Sequence, residues 1–301
     1  MTSPEPGLAG LRLLLAIADE GALGAAAREV GMAQSNASRA IASLERRLAL
    51  PLVRRSAQGS ELTAEGRVVA EWAAPVVEAM DRLVAGTAAL RAVGTELTVS
   101  VSMTIAEALA PRWLAVLRRE RPGLEISIRI LNSQGVIDDV RHGRSALGFV
   151  ETPDIPADLG RERVARDQLE AVVAPSHPWA DRKGGVTLAE LAATPLVERE
   201  PGSGTRLFLE RAVEEALGSV ARPRPVAELT SNSAIAASVI AGLGPAVLGR
   251  SAVAGPLAAG RMLSVPIVDG PIVRDLNAVW AGPGRPTGAA ARLLAIAGAV
   301  D

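Results

Sequence analysis

Met-Ala-Gln-Ser-Asn-Ala-Ser-Arg-Ala-Ile-Ala-Ser-Leu-Glu-Arg-Arg-Leu-Ala-Leu-Pro-Leu-Val-Arg-Arg, residues 32–55, lays two patterns onto one helix. Ala37, Ala40 or Ile41, Leu44 and Leu48 recur at spacings of three and four, which makes one apolar helical face. Gln34, Ser35, Asn36, Ser38 and Arg39 crowd the first turns with side chains suited to reading base edges. Between Gln34 and Arg55 stand five Arg and one Glu, a local charge of +4. The pattern predicts a recognition helix that starts near Gln34 and enters the major groove of DNA by its N-terminal end.

Upstream, Leu23–Val30 reads as a short Ala-rich helix followed by Gly31. Two crossing helices need a small residue at the contact and, four residues later, a tight turn with φ > 0; Ala27 and Gly31 have that spacing. An ordinary helical hairpin shares the spacing. Leu8, Leu11, Leu14 or Leu15 and Ala18 form the inner stripe of a first helix, ended by Asp19-Glu20-Gly21. Pro51 stops the recognition helix, and Leu52–Leu62 reads as two short strands around a turn-rich tip, a wing. Arg54 and Arg55 at its base are candidates for holding phosphates, or else solvated surface charges.

The segment Ala-Ala-Arg-Glu-Val-Gly-Met-Ala-Gln-Ser-Asn-Ala-Ser-Arg-Ala-Ile-Ala-Ser-Leu-Glu-Arg-Arg-Leu (26–48), with Leu-Pro-Leu-Val-Arg-Arg (50–55) and Leu-Thr-Ala-Glu-Gly (62–66), resembles the N-terminal domain of LysR-type transcriptional regulators. The resemblance implies a winged helix-turn-helix, a long dimerising helix and a two-lobed effector domain. Gly24 stands where the family usually caps its second helix with Thr or Ser. Ala49 replaces a usual Gly, and Val53 a usual Phe. Loss of a cap costs on the order of 1 kcal/mol of stability.

At 301 residues the chain is long enough for about two domains, and 49% hydrophobic residues can fill real cores. The net charge of −1 says nothing about nucleic acid, and residues 1–66 balance seven Arg against seven acids, so the basic signal is local. The absence of Cys excludes disulfides, thiolate catalysis and Cys-ligated zinc. Of 32 basic residues only Lys183 is Lys. The sequence shows neither a secretion signal nor a membrane span, so a cytoplasmic location is expected.

Thr63 is a plausible N-cap for a helix running to about Val93. Val69, Trp72, Val76, Met80, Leu83 and Leu90, with Thr87 between the last two, give it a narrow heptad-like seam. Such a helix wants another helix, and a second copy of the chain is the simplest partner. A homodimer or homotetramer on an interrupted inverted repeat of double-stranded DNA is therefore expected. Pro75 is expected to kink or split the helix.

Beyond Gly94 the rhythm changes. Strands at 97–101, 124–131 and 146–150 alternate with helices at 105–121 and 136–142, and the pattern restarts near Leu169. Strands at 170–174, 195–198, 226–229 and 245–248 follow, with helices at 188–191, 205–217 and 234–241. A return strand at 263–267, the strand 276–280 and the helix 287–299 close the chain. Alternation argues for a mostly parallel sheet. The fold class is α+β and α/β. A winged helix-turn-helix (1–65) and a linker helix (66–94) precede a two-lobed effector domain (95–301) like a periplasmic binding protein. Lobe 1 takes 95–166 and 268–301, and lobe 2 takes 167–267, with two crossings as a hinge.

In such sheets ligands bind outside the carboxyl ends of strands. Ser102-Met103-Thr104, Gly202-Ser203-Gly204-Thr205-Arg206 and Thr230-Ser231-Asn232-Ser233 place hydroxyls at helix starts, where free N–H groups attract anions. Each alone is ordinary capping; three from both lobes point to a shared anion cleft. Arg206 could pair with an oxyanion there, and Asn132, Ser133, Glu151 and Thr152 are candidates to line it. Glu-Pro-Gly-Ser-Gly-Thr-Arg (200–206), Ala-Gly-Leu-Gly-Pro-Ala (241–246) and Ser-His-Pro-Trp-Ala (176–180) resemble the LysR-type effector domain, nearest the subgroup governing carbon fixation and sulfur assimilation. That resemblance implies effector contacts from Ser102 and Thr104 and from the loop of Ser203 and Thr205. Met103 stands where relatives often carry a polar residue.

No enzyme signature survives. His177 precedes Pro178 in a loop and His142 precedes Gly143, so both read as surface turn residues; the glycine-rich 202–205 stretch lacks a P-loop lysine, and Gly242-x-Gly244 follows a helix rather than a strand. No catalytic residue, metal ligand or cofactor is assigned. The expected function is a DNA-binding regulator controlled by a small anionic metabolite. The alternative is a cytoplasmic anion-binding protein whose N-terminal helices serve assembly only.

Overall fold

The apolar stripe of the first thirteen helical residues closes on the two helices that follow: α1 (Leu8–Glu20), α2 (Leu23–Glu29) and α3 (Gln34–Leu48). The computed structural model describes residues 6–56, 59–91 and 96–299, excepting the side chains of 55, 56, 59, 82 and 85–91. It forms two compact units, Met1–Leu83 and Val84–Asp301. In the first, Leu11, Leu13, Leu14 and Ile17 of α1 meet Ala26, Ala27, Ala37, Ile41 and Leu44 in one core. Ala18 is exposed, so the buried stripe of α1 runs through Leu13 and Ile17 instead. Gly31 turns the chain at φ +68°, and buried Ala27 lets α2 and α3 approach. Gly24 lies inside α2, whose N-cap residue, Ala22, offers no side-chain cap.

The wing is β1 (Val53–Ser56) paired antiparallel with β2 (Gly59–Leu62). Thr63 Oγ1 accepts the Gly66 N–H at 2.9 Å and so caps α4 (Ala64–Arg91). Pro75 lies inside α4 without ending it, because Val69, Ala70, Ala73 and Val77 on both sides of it pack onto the helical core. The seam therefore divides. Val69 is buried in its own unit, whereas Trp72, Val76, Met80 and Leu83 stay exposed in the single chain. The side chains of Thr87 and Leu90 lie outside the described residues.

The second unit begins with β3 (Glu96–Ser102), α5 (Met103–Ala108) and α6 (Ala110–Glu120). Where the sequence predicts one helix over 105–121, the chain breaks at Leu109, because Pro111, at the start of α6, has no N–H for the helix before it. β4 (Glu125–Leu131), α7 (Ser133–Arg141) and β5 (Leu147–Val150) follow. Ile128 and Ile130 point outward from the edge strand β4, so its alternation does not mark a buried face.

Next come β6 (Leu159–Val173), α8 (Leu188–Ala193), β7 (Val197–Arg199) and α9 (Gly204–Leu217). β8 (Ala227–Leu229), α10 (Asn232–Ile240), β9 (Ala246–Gly249) and α11 (Arg250–Ala258) precede β10 (Leu263–Val265), β11 (Ile272–Ala281) and α12 (Gly288–Ala299). The main sheet has seven strands in the order β10-β6-β11-β5-β3-β4, with β9 also on β6. It is mixed, not mostly parallel: β3 runs parallel to β4 and β5, while β6 and β11 pair antiparallel with each other and with their outer neighbours. The crossing near Ala165–Gln168 and the strand at 170–174 are one strand, β6. β6 and β11 form a long ribbon that links a core under α6 and α12 to the cores of α8–α11.

Candidate functional site

In the first unit the apolar face of α3 settles where its polar residues point. Ala37, Ile41 and Leu44 are buried, so Gln34, Ser35, Asn36 and Arg39 stand exposed on the other side and Ser38 is half-buried. Ala33 offers no side-chain cap, which leaves the first N–H groups of α3 to solvent or to a phosphate. Arg39 Nη2 donates to Asn36 Oδ1 on this exposed surface. The wing is fixed to α3 by Glu45, whose Oε1 accepts the N–H groups of Leu52 (2.9 Å) and Val53 (3.1 Å). Gly66 sits so close to the Leu52 carbonyl that a Cβ there would lie 2.1 Å from the oxygen. Arg54 Nη2 pairs with Glu61 Oε2 across the hairpin at 2.9 Å, both exposed, a weak pair that a phosphate could replace. The side chain of Arg55 lies outside the described residues.

In the second unit Thr104 and Thr205 meet on one guanidinium, and Ser102 and Ser133 meet on Glu151. The guanidinium of Arg274 on β11 is fully buried and pairs with Asp167 of β6 at 2.7 Å. Its Nη1 donates to Thr205 Oγ1 at 2.8 Å and its Nη2 to Thr104 Oγ1 at 3.4 Å. One side chain of the β6–β11 ribbon thus bonds the start of α5 and the start of α9. Asn232 Nδ2 donates to Thr104 Oγ1 (3.3 Å), and Arg199 Nη1 donates to Asn232 Oδ1 (3.0 Å). Ser102 donates to the Glu151 carboxyl, and Ser133 Oγ donates to the Glu151 carbonyl at 3.1 Å. Burial pushes the Glu151 carboxyl above the usual carboxylate range; the charge of Arg274 and hydrogen bonds from Ser102 and Thr104 counter this only in part. A Cβ on Gly204 would fall 1.3 Å from the Glu151 carbonyl oxygen, so lobe 2 touches lobe 1 through bare backbone. Ser203 Oγ is buried and meets no partner among the described residues.

Other predicted residues lie off this centre. Arg206 is no oxyanion partner here. Its Nε is 2.8 Å from Glu210, and its Nη1 is 2.9 Å from Glu228 and 3.2 Å from the Arg199 carbonyl. Burial opposes its charge, but Glu210 and Glu228 outweigh that and hold its pKa above the ordinary value. Asn132 caps α7 through the Gly135 N–H (2.8 Å) and donates to the Pro201 carbonyl (3.2 Å). Ser231 caps α10 (3.3 Å to the Ala234 N–H) and reaches Glu107 at 3.5 Å. Met103 is half-buried at the start of α5. Asn232 stands inside the Thr230–Ser233 stretch read as a helix start, but Arg274, Asp167 and Arg199 lie outside every motif singled out in the sequence. Their one signal is charge inside apolar runs, as in Ile272-Val-Arg-Asp-Leu. The two histidines serve turns: His142 Nδ1 is 2.7 Å from the Asp138 carbonyl, and His177 Nδ1 accepts the Trp179 N–H at 3.1 Å.

Residues 8–67 match the bacterial regulatory helix-turn-helix protein, lysR family, and residues 91–300 match the LysR substrate binding domain. The chain belongs to the LysR family. Among its LysR-type relatives is an uncharacterized HTH-type transcriptional regulator of Mycobacterium bovis, 44% identical over 299 residues, covering 97% of this chain and 96% of the relative. The HTH-type transcriptional regulator CbbR of Xanthobacter flavus is 31% identical over 280 residues, covering 93% and 83%. Of solved structures, the Synechocystis PCC6803 CcmR regulatory domain in complex with 2-PG superposes with a TM-score of 0.61 at 24% identity, over 69% of this chain and 97% of that one. A full-length OxyR variant from Pseudomonas aeruginosa superposes at 0.57 and 23% identity, over 97% and 100%. The chain is a LysR-type DNA-binding transcriptional regulator with an effector-binding domain, and not an enzyme. No helix among the described residues is long and apolar enough to cross a membrane.

Proposed function

We propose that this LysR-type regulator works in the cytoplasm as a homodimer or homotetramer on an interrupted inverted repeat, and that a small anionic metabolite bound between the two lobes sets its activity. For DNA, the polar start of α3 reads bases through Gln34, Ser35, Asn36, Ser38 and Arg39, while Arg54 and Arg55 of the wing hold phosphates. The exposed apolar row Trp72, Val76, Met80 and Leu83 on α4 supports helix pairing between two copies.

The observation that carries the effector reading is the meeting of Thr104 and Thr205 on Arg274. Hydroxyls from both lobes and a guanidinium from the hinge share one buried point, with Ser203 beside Thr205 at the N-terminus of α9. Such donors suit a carboxylate, a phosphate or an inorganic oxyanion. In this arrangement Thr104, Thr205 and Arg274 are engaged by the protein. A ligand must exchange with those bonds and so selects a second arrangement of the lobes. That differential affinity is what shifts the population. Ser102, Ser133 and Glu151 are bonded beside this point and are assigned to the same site; Met103, Asn132 and Ser231 are assigned to its outer wall, whereas Arg206 is left out by its carboxylate partners.

Gel-shift titration with DNA flanking the protein's own gene tests the DNA half. Arg39→Ala is expected to weaken operator binding by roughly 1–3 kcal/mol and relax base preference. Unchanged affinity and preference would remove α3 from the interface.

A further inference from the structure

The ribbon of β6 and β11 has a second face, opposite Arg274. In a regular strand Arg161 and Arg163 share a face and Arg166 does not, because side chains alternate. The register with β11 shifts between Leu276 and Asn277: Asn277 pairs with Arg163 and Leu276 with Ala165, which leaves Val164 as an extra residue. Val164 and Ala165 both pack toward the core of lobe 1. This bulge returns Arg166 to the face of Arg161 and Arg163. All three are exposed, and they line a cleft of about 580 Å³ with an apolar wall of Ile155, Phe208 and Val273.

The charges do not balance. Asp275 is the one carboxylate on β11 facing them, shared by Arg166 (3.1 Å) and Arg163 (3.8 Å). Glu162 at the rim is taken by Arg285. Arg161 makes no ion pair among the described residues. The four arginines 161, 163, 166 and 285 against Asp275 and Glu162 leave two positive charges in excess. Exposed arginines on a flat surface are ordinary; here they stand in a concavity beside a half-buried aromatic ring.

We propose that this cleft is a second binding site, for an organic anion with two acidic groups and an apolar or planar body. The guanidiniums take the acidic groups by paired charge-assisted hydrogen bonds, and Phe208 with Ile155 covers the body. Ile155 follows β5 in lobe 1 and Phe208 belongs to α9 in lobe 2, so the ligand touches both lobes and the ribbon. Arg211 of α9 already pairs with Asp154 across the same line. Occupancy therefore favours one arrangement of the lobes, from the face opposite the Thr104–Thr205 junction, and the proposal stands whether or not that junction binds an effector.

Calorimetry on the full-length protein tests it with phthalate (two charges on a planar ring), sulfate (charge alone) and benzyl alcohol (ring alone). Phthalate is expected to bind the wild type more tightly than either control. In the double variant Arg161→Gln/Arg163→Gln its affinity should fall at least about tenfold, while Thr104→Val keeps it. Phe208→Ala, which leaves every charge in place, should also weaken phthalate and not sulfate. No phthalate binding by the wild type at millimolar concentration overturns the proposal. So does equal affinity in the double variant. A loss in Thr104→Val with none in the double variant moves phthalate to the junction between the lobes, overturning this site and sparing the reading above.

Discussion

The start of α3 and the junction around Arg274 are both rich in polar side chains, and they use them in opposite ways. On α3 the polar side chains face out, and Arg39 bonds to Asn36 on the same surface. At the junction Thr104, Thr205, Asn232 and Arg274 are buried and bonded to one another in a chain, with Arg199 behind Asn232. The first surface is complete before a partner arrives and can be trimmed without harm to the fold. The second holds its own structure together, so any ligand competes with the protein. A DNA-reading face can be preformed; a switch must have two arrangements close in free energy.

The sharpest break between the regions is expected from Arg274→Leu. It strands Asp167 as a buried carboxylate without its guanidinium, and loss of one partner of a buried pair costs about 3–5 kcal/mol. Urea unfolding of the second unit's signal reads this directly. A loss below that of an exposed Arg would mean that the pair is solvated and the junction open.

Glu151→Gln probes the same junction through pH. Because burial raises the Glu151 pKa in the folded state, the native protein holds that proton more tightly than the unfolded chain. Its contribution to stability is full below the unfolded carboxylate pKa and is lost as pH rises through the folded value. Gln mimics the protonated acid. The two proteins should match in acid, and the variant should become the more stable as pH rises. Melting curves that stay parallel across pH would contradict a buried Glu151.

The smallest effect belongs to the DNA-reading unit. Ala49 ends α3 at φ +53°, the one non-glycine residue with positive φ among those described. Left-handed backbone costs an L-residue roughly 1–2 kcal/mol, and Ala49→Gly should recover about 1 kcal/mol in thermal melting without touching the polar face. A destabilised Ala49→Gly would mean that the Ala methyl group packs.

These contrasts also explain what is legible in sequence. α3, the turn at Gly31 and the Thr63 cap rest on spacings within a few residues, and they stand where periodicity puts them. The hydroxyls of Ser102, Thr104, Ser203 and Thr205 are visible as helix starts after strands. Their partner is not, because Arg274 and Thr104 are 170 residues apart and the sheet order β11-β5-β3 brings them together. β6 reads as separate pieces because Arg161, Glu162, Arg163 and Arg166 break its apolar run, although a ribbon with one solvated face tolerates such charges. α11 escapes notice because Gly255 and Pro256 within it read as loop. Arg206 misleads by its place in a glycine-rich loop, when Glu210 and Glu228 decide its direction.

The central claim, that the buried junction between the lobes is the effector site, is tested most directly by calorimetric titration of small carboxylates, phosphates and oxyanions into the wild type and Thr104→Val. The variant keeps the shape of Thr104 and removes the oxygen that meets Arg274 and Asn232. An anion that binds the wild type outside the arginine cleft, and so binds Arg161→Gln/Arg163→Gln equally well, should bind Thr104→Val more weakly, with the free variant still folded and operator binding without ligand unaltered. Equal affinities in the two proteins, or a preference for cations, would contradict the site.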